Sequence, residues 1–346
     1  MLKGLYMFGN IYGLDLGTYE IKVFDKKKNT VWKQNNAVAI AVEKKLFSVG
    51  DAAYEMYEKS PYNIEVVFPM KEGVISHFYN MQYLLQNLLK KERQFARGSK
   101  YFIAVPTDVT EVEKRAFYDL VVHSTAKAKE VRIVERGIAD AVGMGLDVKN
   151  TPGIFIVNLG AETTELSVLS YGGVVLNKLV KTGGTILDHG IVNSVRSNQN
   201  FLIGHTTAEE LRKTFGIAPR NEVRALKVAG RNLITRIPEQ KEVSIGLVHA
   251  AMKDTLKLYI HEIEALLDRT PPEIQRYIKN QGIYITGGLS NLKGIDTYLE
   301  NGLEILVHTC KEPEFCAVRG LKKIIEIKEL RNFTYSMLDE NYRWMR

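Results

Sequence analysis

Apolar and polar residues alternate along this chain in short runs, and two of the runs are built alike. Ile154–Leu169 reads IFIVNLGAETTELSVL: an apolar entry, a turn at Asn158-Leu159-Gly160-Ala161-Glu162, then alternation through Leu166 and Val168. Period-two apolar positions on both sides of a glycine turn predict a β-hairpin. A turn of this kind bunches backbone N–H groups into a nest that can hold phosphate oxygens. Gly13–Phe24, GLDLGTYEIKVF, repeats the layout, with Asp15-Leu16-Gly17 in the places of Asn158-Leu159-Gly160 and alternation at Ile21 and Val23. One such hairpin in each half predicts a duplicated domain that grips a polyphosphate between its halves.

The intervening pattern fills in the elements. Val31–Ile40 reads as further strand, Ala52–Lys59 as a helix, and Asn80–Lys91 as a helix with Leu84, Leu85, Leu88 and Leu89 on one face. Tyr101–Val105 is a buried-type strand ended by Pro106, and Thr110-Glu111-Val112-Glu113 is a capping box that opens another helix. Val131–Val134 is strand again, and Glu135–Met144 is a helix. Pro152-Gly153 breaks the pattern and marks the boundary between halves. In the second half, Lys181–Thr185 leads into a helix carrying Ile191 and Val195. Residues 205–245 are polar and read as helical, an inserted subdomain within about 190–245. Thr270-Pro271-Pro272-Glu273 starts a helix at its N1 proline, and Gly282–Leu289 is a strand running into a third glycine turn. A helix over Ala317–Ile327 precedes a tail in which Leu330, Phe333, Met337 and Trp344 fall near one helical face.

Composition narrows the class. At 346 residues, two domains are expected, 1–150 and 151–316, with an extension at 328–346. The apolar fraction of 45% and charged fraction of 25% are those of a globular protein. No run of 18 apolar residues predicts a membrane-spanning helix, and the N-terminal segment is too short and wrongly flanked for a signal peptide. Cys310 and Cys316 have no histidine at ligand spacing, which argues against zinc. The net charge of +7 is too mild and dispersed to argue for nucleic acid as a partner. One basic cluster, Lys90, Lys91, Arg93, Arg97 and Lys100, surrounds Phe95. It suits a solvated helix end and a membrane-facing loop about equally.

These motifs together resemble the actin-like ATPase superfamily, and within it the bacterial MreB family, from Gly13 to about Glu326. DLGT at Asp15–Thr18 is similar to the family's first phosphate loop. FPMKEGVI at Phe68–Ile75, VPTDVTEVEKRA at Val105–Ala116 and TPPEIQRYIKNQGIYITGG at Thr270–Gly288 resemble MreB closely. LIGHTTAEELR at Leu202–Arg212 is similar to the segment that reaches the adenosine. The resemblance implies an α/β actin-like ATPase fold: two duplicated domains, each a mixed sheet flanked by helices, with the helix at 317–327 packed back on the first. ATP with Mg²⁺ is then expected in the inter-domain cleft. The implied nucleotide contacts are Asp15, Gly17, Thr18 and Tyr19; Asn158, Gly160, Ala161, Glu162 and Thr163; Glu209 and Arg212; and Gly287, Gly288 and Leu289. Asp15 is the implied metal residue and Phe95 the implied membrane contact. The implied role is cell-shape determination by filaments at the inner face of the cytoplasmic membrane, self-assembled or co-assembled with another MreB.

The departures from the family pattern carry as much information. Asn158 replaces an Asp that helps order the hydrated metal, and Ala161 and Glu162 stand where the family's loop is glycine-rich. Losing glycine restricts the turn. Where the family carries a water-positioning Glu, this chain has Arg136, which stays protonated and cannot act as a base. Glu135 lies about 100° around a helix from it. Hydrolysis is therefore doubtful on sequence alone. Arg136 and Glu162 carry opposite charges in what the resemblance makes one pocket, so an ion pair between them is an expectation. Alternatives are a non-hydrolysing scaffold that regulates another MreB and a small-molecule kinase of the same superfamily.

Overall fold

A computed structural model describes residues 9–41, 46–91, 98–123, 128–217 and 224–338. Phe95 and, of its basic surround, Arg93 and Arg97 lie outside these residues. The chain divides into two compact units. One comprises Met1–Thr151, Leu169–Leu179 and Phe315–Arg346; the other comprises Pro152–Val168 and Val180–Glu314.

In the first unit, a five-stranded mixed sheet runs in the order Thr30–Asn35, Glu20–Asp25, Ile11–Leu16, Lys100–Val105, Glu130–Glu135. The first three strands pair antiparallel and the last three parallel. Alternation along Ile11–Leu16 decides which side each residue serves. Tyr12, Leu14 and Leu16 face a core closed by Met81, Leu84 and Leu88 of the Phe78–Lys91 helix and by Phe117 and Leu120 of the Glu111–Val122 helix. Gly13 faces the other way, where a Cβ would lie 3.0 Å from Leu321 Cβ. Its lack of a side chain lets the Cys316–Glu326 helix press against the sheet.

The second five-stranded sheet runs Gly173–Val180, Thr164–Ser170, Ile154–Leu159, Ile283–Thr286, Val307–His308. Its last three strands are also parallel. Read from the hairpin outward, the two sheets have one plan, a hairpin strand pair followed by two parallel strands. That is the structural form of the duplication seen in the sequence. The Thr110 capping box is present, with Thr110 N–H donating to Glu113 Oε2 at 2.7 Å and Glu113 N–H donating to Thr110 Oγ1 at 3.3 Å.

Three readings of the sequence need correction. Among the described residues of 205–244, the helix is His205–Phe215; Ala225–Asn232 and Pro238–Ser244 are strands paired with each other in a small antiparallel sheet with Phe201–Leu202. Both strands alternate between exposed and inner positions; in Pro238–Ser244 the inner places include Glu239 and Lys241, and in Ala225–Asn232 they include Gly230 and Asn232, which weakens the period-two apolar signal. The helix expected over Ala52–Lys59 is one turn, Asp51–Tyr54. The described part of the tail, to Leu338, is not the expected amphipathic helix: Lys328–Phe333 is a 3₁₀ segment, and the chain then extends so that Tyr335 forms an isolated antiparallel bridge with Ile133, while Trp344 lies outside the described residues. Ile133 N–H donates to Tyr335 O at 2.8 Å and Tyr335 N–H to Ile133 O at 3.1 Å. The tail thus covers the outer edge of the Glu130–Glu135 strand, which would otherwise present unpaired backbone groups.

Candidate functional site

The first glycine turn sits at the end of the Ile11–Leu16 strand. Gly17 N–H donates to Glu20 O at 3.0 Å, and a Cβ on Gly17 would lie 2.7 Å from that oxygen. Only glycine closes this turn without a shift. Buried Asn36 braces it from behind: its backbone N–H donates to Tyr19 O at 2.8 Å and its side-chain amide donates to Gly17 O at 2.8 Å. Thr18 and Tyr19 are half-buried at the turn, and the Tyr19 hydroxyl meets that of Tyr54. Burial pushes the Glu20 carboxyl up, but Lys22 and Lys33 outweigh it and hold that group below the usual range.

The parallel register then decides what Asp15 meets. Asp15 lies beside Ala104, and Ala104 beside Val134, so the strands Ile11–Leu16 and Glu130–Glu135 finish level. Ligands in α/β folds bind at such carboxyl ends. The Arg136–Met144 helix begins there, and Arg136 is buried, 7% exposed, with Nε 3.7 Å from Asp15 Oδ1. Its Nη2 also donates to Leu16 O at 3.3 Å. Glu135 is committed elsewhere: its Oε1 accepts from Lys114 Nζ at 3.0 Å and from the Tyr335 hydroxyl at 2.8 Å. The cation that replaces the expected glutamate therefore lies against the first glycine turn.

The second unit carries the matching turn. Gly160 N–H donates to Thr163 O at 2.8 Å, and a Cβ on Gly160 would lie 2.8 Å from that oxygen, as at Gly17. The carbonyls of Gly160 and Ala161 accept from Gly184 N–H at 3.1 Å and Thr185 N–H at 2.8 Å. The start of the Gly184–Gln199 helix thus seats the turn from below, and Gly183 is needed because a Cβ there would lie 2.5 Å from Ala161 O. Asn158 and Glu162 are half-buried, and Thr163 is buried.

Gly287 approaches the same turn from the neighbouring strand. Asn158 pairs with Thr286, and Gly287 has φ +86°, with its absent Cβ 2.4 Å from Leu159 O. Gly288 and Leu289 continue as a 3₁₀ turn. Arg212, from the His205–Phe215 helix, is buried and bidentate to Asp188, at 2.7 and 3.0 Å. Burial opposes its charge, and Asp188 more than offsets that, so the guanidinium is held above its ordinary range. Glu209 Oε1 lies 3.9 Å from Arg212 and 2.8 Å from Lys213 Nζ. A Cβ on Gly184 would lie 3.4 Å from Arg212 Nη2 and 3.7 Å from Leu289 Cδ1, so the helix start that seats the second glycine turn also packs against Arg212 and Leu289.

A family model described as MreB/Mbl protein matches residues 9–332. The chain belongs to the MreB/Mbl family. Cell shape-determining protein MreB of Escherichia coli K12 is 33% identical over 333 residues, 94% of this chain and 95% of its own length. Cell shape-determining protein Mbl of Bacillus subtilis 168 is 29% identical over 318 residues, 91% of this chain and 95% of its own. The crystal structure of MreB5 of Spiroplasma citri bound to ADP superposes with a TM-score of 0.87 at 25% identity, covering 94% of this chain and 98% of that one. A MamK double helical filament shares the fold, with a TM-score of 0.76 at 20% identity over 92% and 98% of the two chains.

Within the MreB/Mbl frame, the donor set can be tested against Mg²⁺. That ion takes oxygen ligands, few of them carboxylates. Asp15 is already paired with Arg136, so its attraction for a divalent ion is largely cancelled by the guanidinium's repulsion at a similar distance. Paired in this way, Asp15 is a poor ligand for a divalent ion.

Sequence reasoning missed several residues on which the site rests. Asn36 gave no signal, since its bonds run to backbone atoms 17 or more positions away. The Gly183-Gly184 pair before a helix was a signal, because a doublet there permits close approach to a neighbouring backbone.

Proposed function

We propose that this chain is a cytoskeletal protein of the MreB/Mbl type, acting in cell-shape determination through actin-like filaments that hold an adenine nucleotide and turn it over slowly or not at all. The observation that carries this reading is the pair of like-built glycine turns in a chain matched from Gly9 to Asn332 by a cell-shape family. Crystal structures of Spiroplasma citri MreB5 are bound to ADP and to AMPPNP, which supports a nucleotide as the ligand. Arg136 compensates the Asp15 carboxylate, which weakens the case for the Mg²⁺ expected there. The cation at the position of the water-positioning glutamate also favours a second reading, a non-hydrolysing scaffold that joins filaments of another MreB.

Sedimentation and electron microscopy of the purified chain with ATP, with ADP and without nucleotide test the reading. Polymers are expected with nucleotide. Phosphate release should be on the order of 10²-fold or more slower than in a relative that keeps the glutamate, since a positioned acid or base contributes 10²–10⁴. Strict monomers that enter polymers of a partner MreB would select the scaffold reading. Phosphate transfer to a small molecule would select the kinase and overturn both.

The reading includes a peripheral position at the cytoplasmic face of the membrane. Among the described residues no helix is long and apolar enough to cross a membrane, and the proposed contact is Phe95 with its basic neighbours. One buried Phe contributes about 1.5–3 kcal/mol, and each nearby Lys or Arg about 1 kcal/mol at an anionic surface. Phe95→Ser should therefore reduce co-sedimentation with anionic liposomes by at least about tenfold. Unchanged binding would move the contact elsewhere.

A further inference from the structure

We infer that the second unit carries a head-to-tail contact for a second copy of this chain. The tip of the hairpin formed by Ala225–Asn232 and Pro238–Ser244 on one copy meets the corner at residues 304–306 of the next. The inference rests on the filament reading above and assigns residues to it.

The tip is apolar where a turn is ordinarily polar. Ile234 is 74% exposed and Ile237 61%, and Leu233 and Leu202, the latter on the neighbouring strand, are exposed beside them. The backbone of the tip is nonetheless satisfied from within. Asn232 Oδ1 accepts from Ile234 N–H at 2.8 Å and Thr235 N–H at 3.1 Å. Asn232 N–H donates to Ile237 O at 3.0 Å, and Leu233 N–H to Asn200 O at 2.9 Å. Arg231 Nε donates to Arg236 O at 3.2 Å. Covering the tip therefore removes apolar surface from water and strands none of these groups.

The corner is its complement. Leu306 is 54% exposed just before the edge strand Val307–His308, and Glu304, exposed at φ +55°, closes the Ile295–Leu303 helix beside it. Arg236 at the tip is likewise exposed, and among the described residues neither Arg236 nor Glu304 has an ion-pair partner. Glu239, the acid nearest the tip, is taken by Lys241 at 3.2 Å and by the Asn232 amide at 2.9 Å. The tip thus offers isoleucine beside a cation, and the corner offers leucine beside an anion.

Placement makes the contact head-to-tail. Leu233 and Glu242 both reach the end of the Gly184–Gln199 helix, through Asn200 O and Gln199 Nε2, so the tip lies by the start of the Ile245–Arg269 helix. Gly302 instead packs against Ile260, fifteen residues and about 22 Å along that helix. Unlike patches toward opposite ends of one unit leave one of each free on every added copy. Such a contact propagates rather than closing as a twofold pair.

The test is sedimentation and size-exclusion chromatography of the full chain in the nucleotide condition that supports polymers. Ile234→Asp and Leu306→Asp should each raise the critical concentration by about tenfold or more, with melting temperatures unchanged because both side chains are exposed. An equimolar mixture of the two should give one-to-one dimers and no polymer, since one intact tip and one intact corner remain. Arg236→Glu should weaken assembly, and adding Glu304→Arg should restore it. Both aspartate variants polymerising like the unmodified chain would overturn the inference and leave the filament reading intact. A loss confined to one of them would place the partner surface elsewhere and overturn it as well. An Ile234→Asp chain that polymerises normally but no longer co-sediments with anionic liposomes would assign the tip to lipid instead. No polymer of the unmodified chain under any nucleotide condition would overturn the filament reading and the inference with it.

Discussion

Lys114→Met is expected to destabilise the first unit by about 3–5 kcal/mol, the cost of leaving a buried charge without its partner. Lys114 is 3% exposed, and its ammonium meets Glu135 Oε1 at 3.0 Å. The Glu135 carboxylate also accepts from the Tyr335 hydroxyl at 2.8 Å, so it ties together the Glu111–Val122 helix, the edge strand and the tail. Removing Lys114 strands the carboxylate, whereas Tyr335→Phe removes one charge-assisted hydrogen bond and should lose about 1.5–3 kcal/mol. Denaturant melts of the two variants give the comparison. A loss below about 1 kcal/mol for Lys114→Met would mean that the pair behaves as a solvated surface bridge.

Gly320→Ala should lose about 3 kcal/mol or more, at or beyond the upper end of ordinary overpacking. The helices Arg136–Met144 and Cys316–Glu326 touch through reciprocal glycines. A Cβ on Gly320 would lie 1.8 Å from Ala139 O, and one on Gly143 would lie 2.0 Å from Cys316 O. Both obstacles are backbone, so neither can rotate aside. The contact also seats the helix that begins with Arg136, and a forced separation would be felt at the first glycine turn. Gly246→Ala is the control: nothing lies within 4 Å of its Cβ position, and the change should be neutral or mildly stabilising. Equal melting temperatures for Gly320→Ala and the control would refute the close-packed helix contact.

The duplicated hairpins were legible because two simple signals coincide in each, period-two apolar residues and a glycine where the turn closes on a carbonyl. The same reasoning found the Thr110 cap, whose bonds run between residues three apart. It failed where the partner is chosen by tertiary register. Nothing in the spacing of Asp15 and Arg136 announces that the intervening strand Lys100–Val105 will level them. It failed also over Ala225–Ser244, where Gly230, Asn232, Glu239 and Lys241 take inner places and dilute the apolar/polar rhythm. The tail was misread for a related reason. Its attachment runs through the Tyr335 backbone, which leaves no pattern in the side chains, and the apolar spacing of Leu330, Phe333 and Met337 imitated a helix.

The bridge between Ile133 and Tyr335 has a consequence for how the chain matures during synthesis. The first unit needs residues from both ends of the sequence, Met1–Thr151 and Phe315–Arg346, whereas the second lies wholly between them. Glu135 and Tyr335 are 200 positions apart. At about 5–20 residues per second, roughly 10–40 s separate the appearance of that strand from the arrival of the tail that covers it. The part of the protein made first is therefore completed last, after the middle segment has had time to fold. Throughout that interval the nascent chain carries an open strand edge, a natural place for a ribosome-associated chaperone to bind.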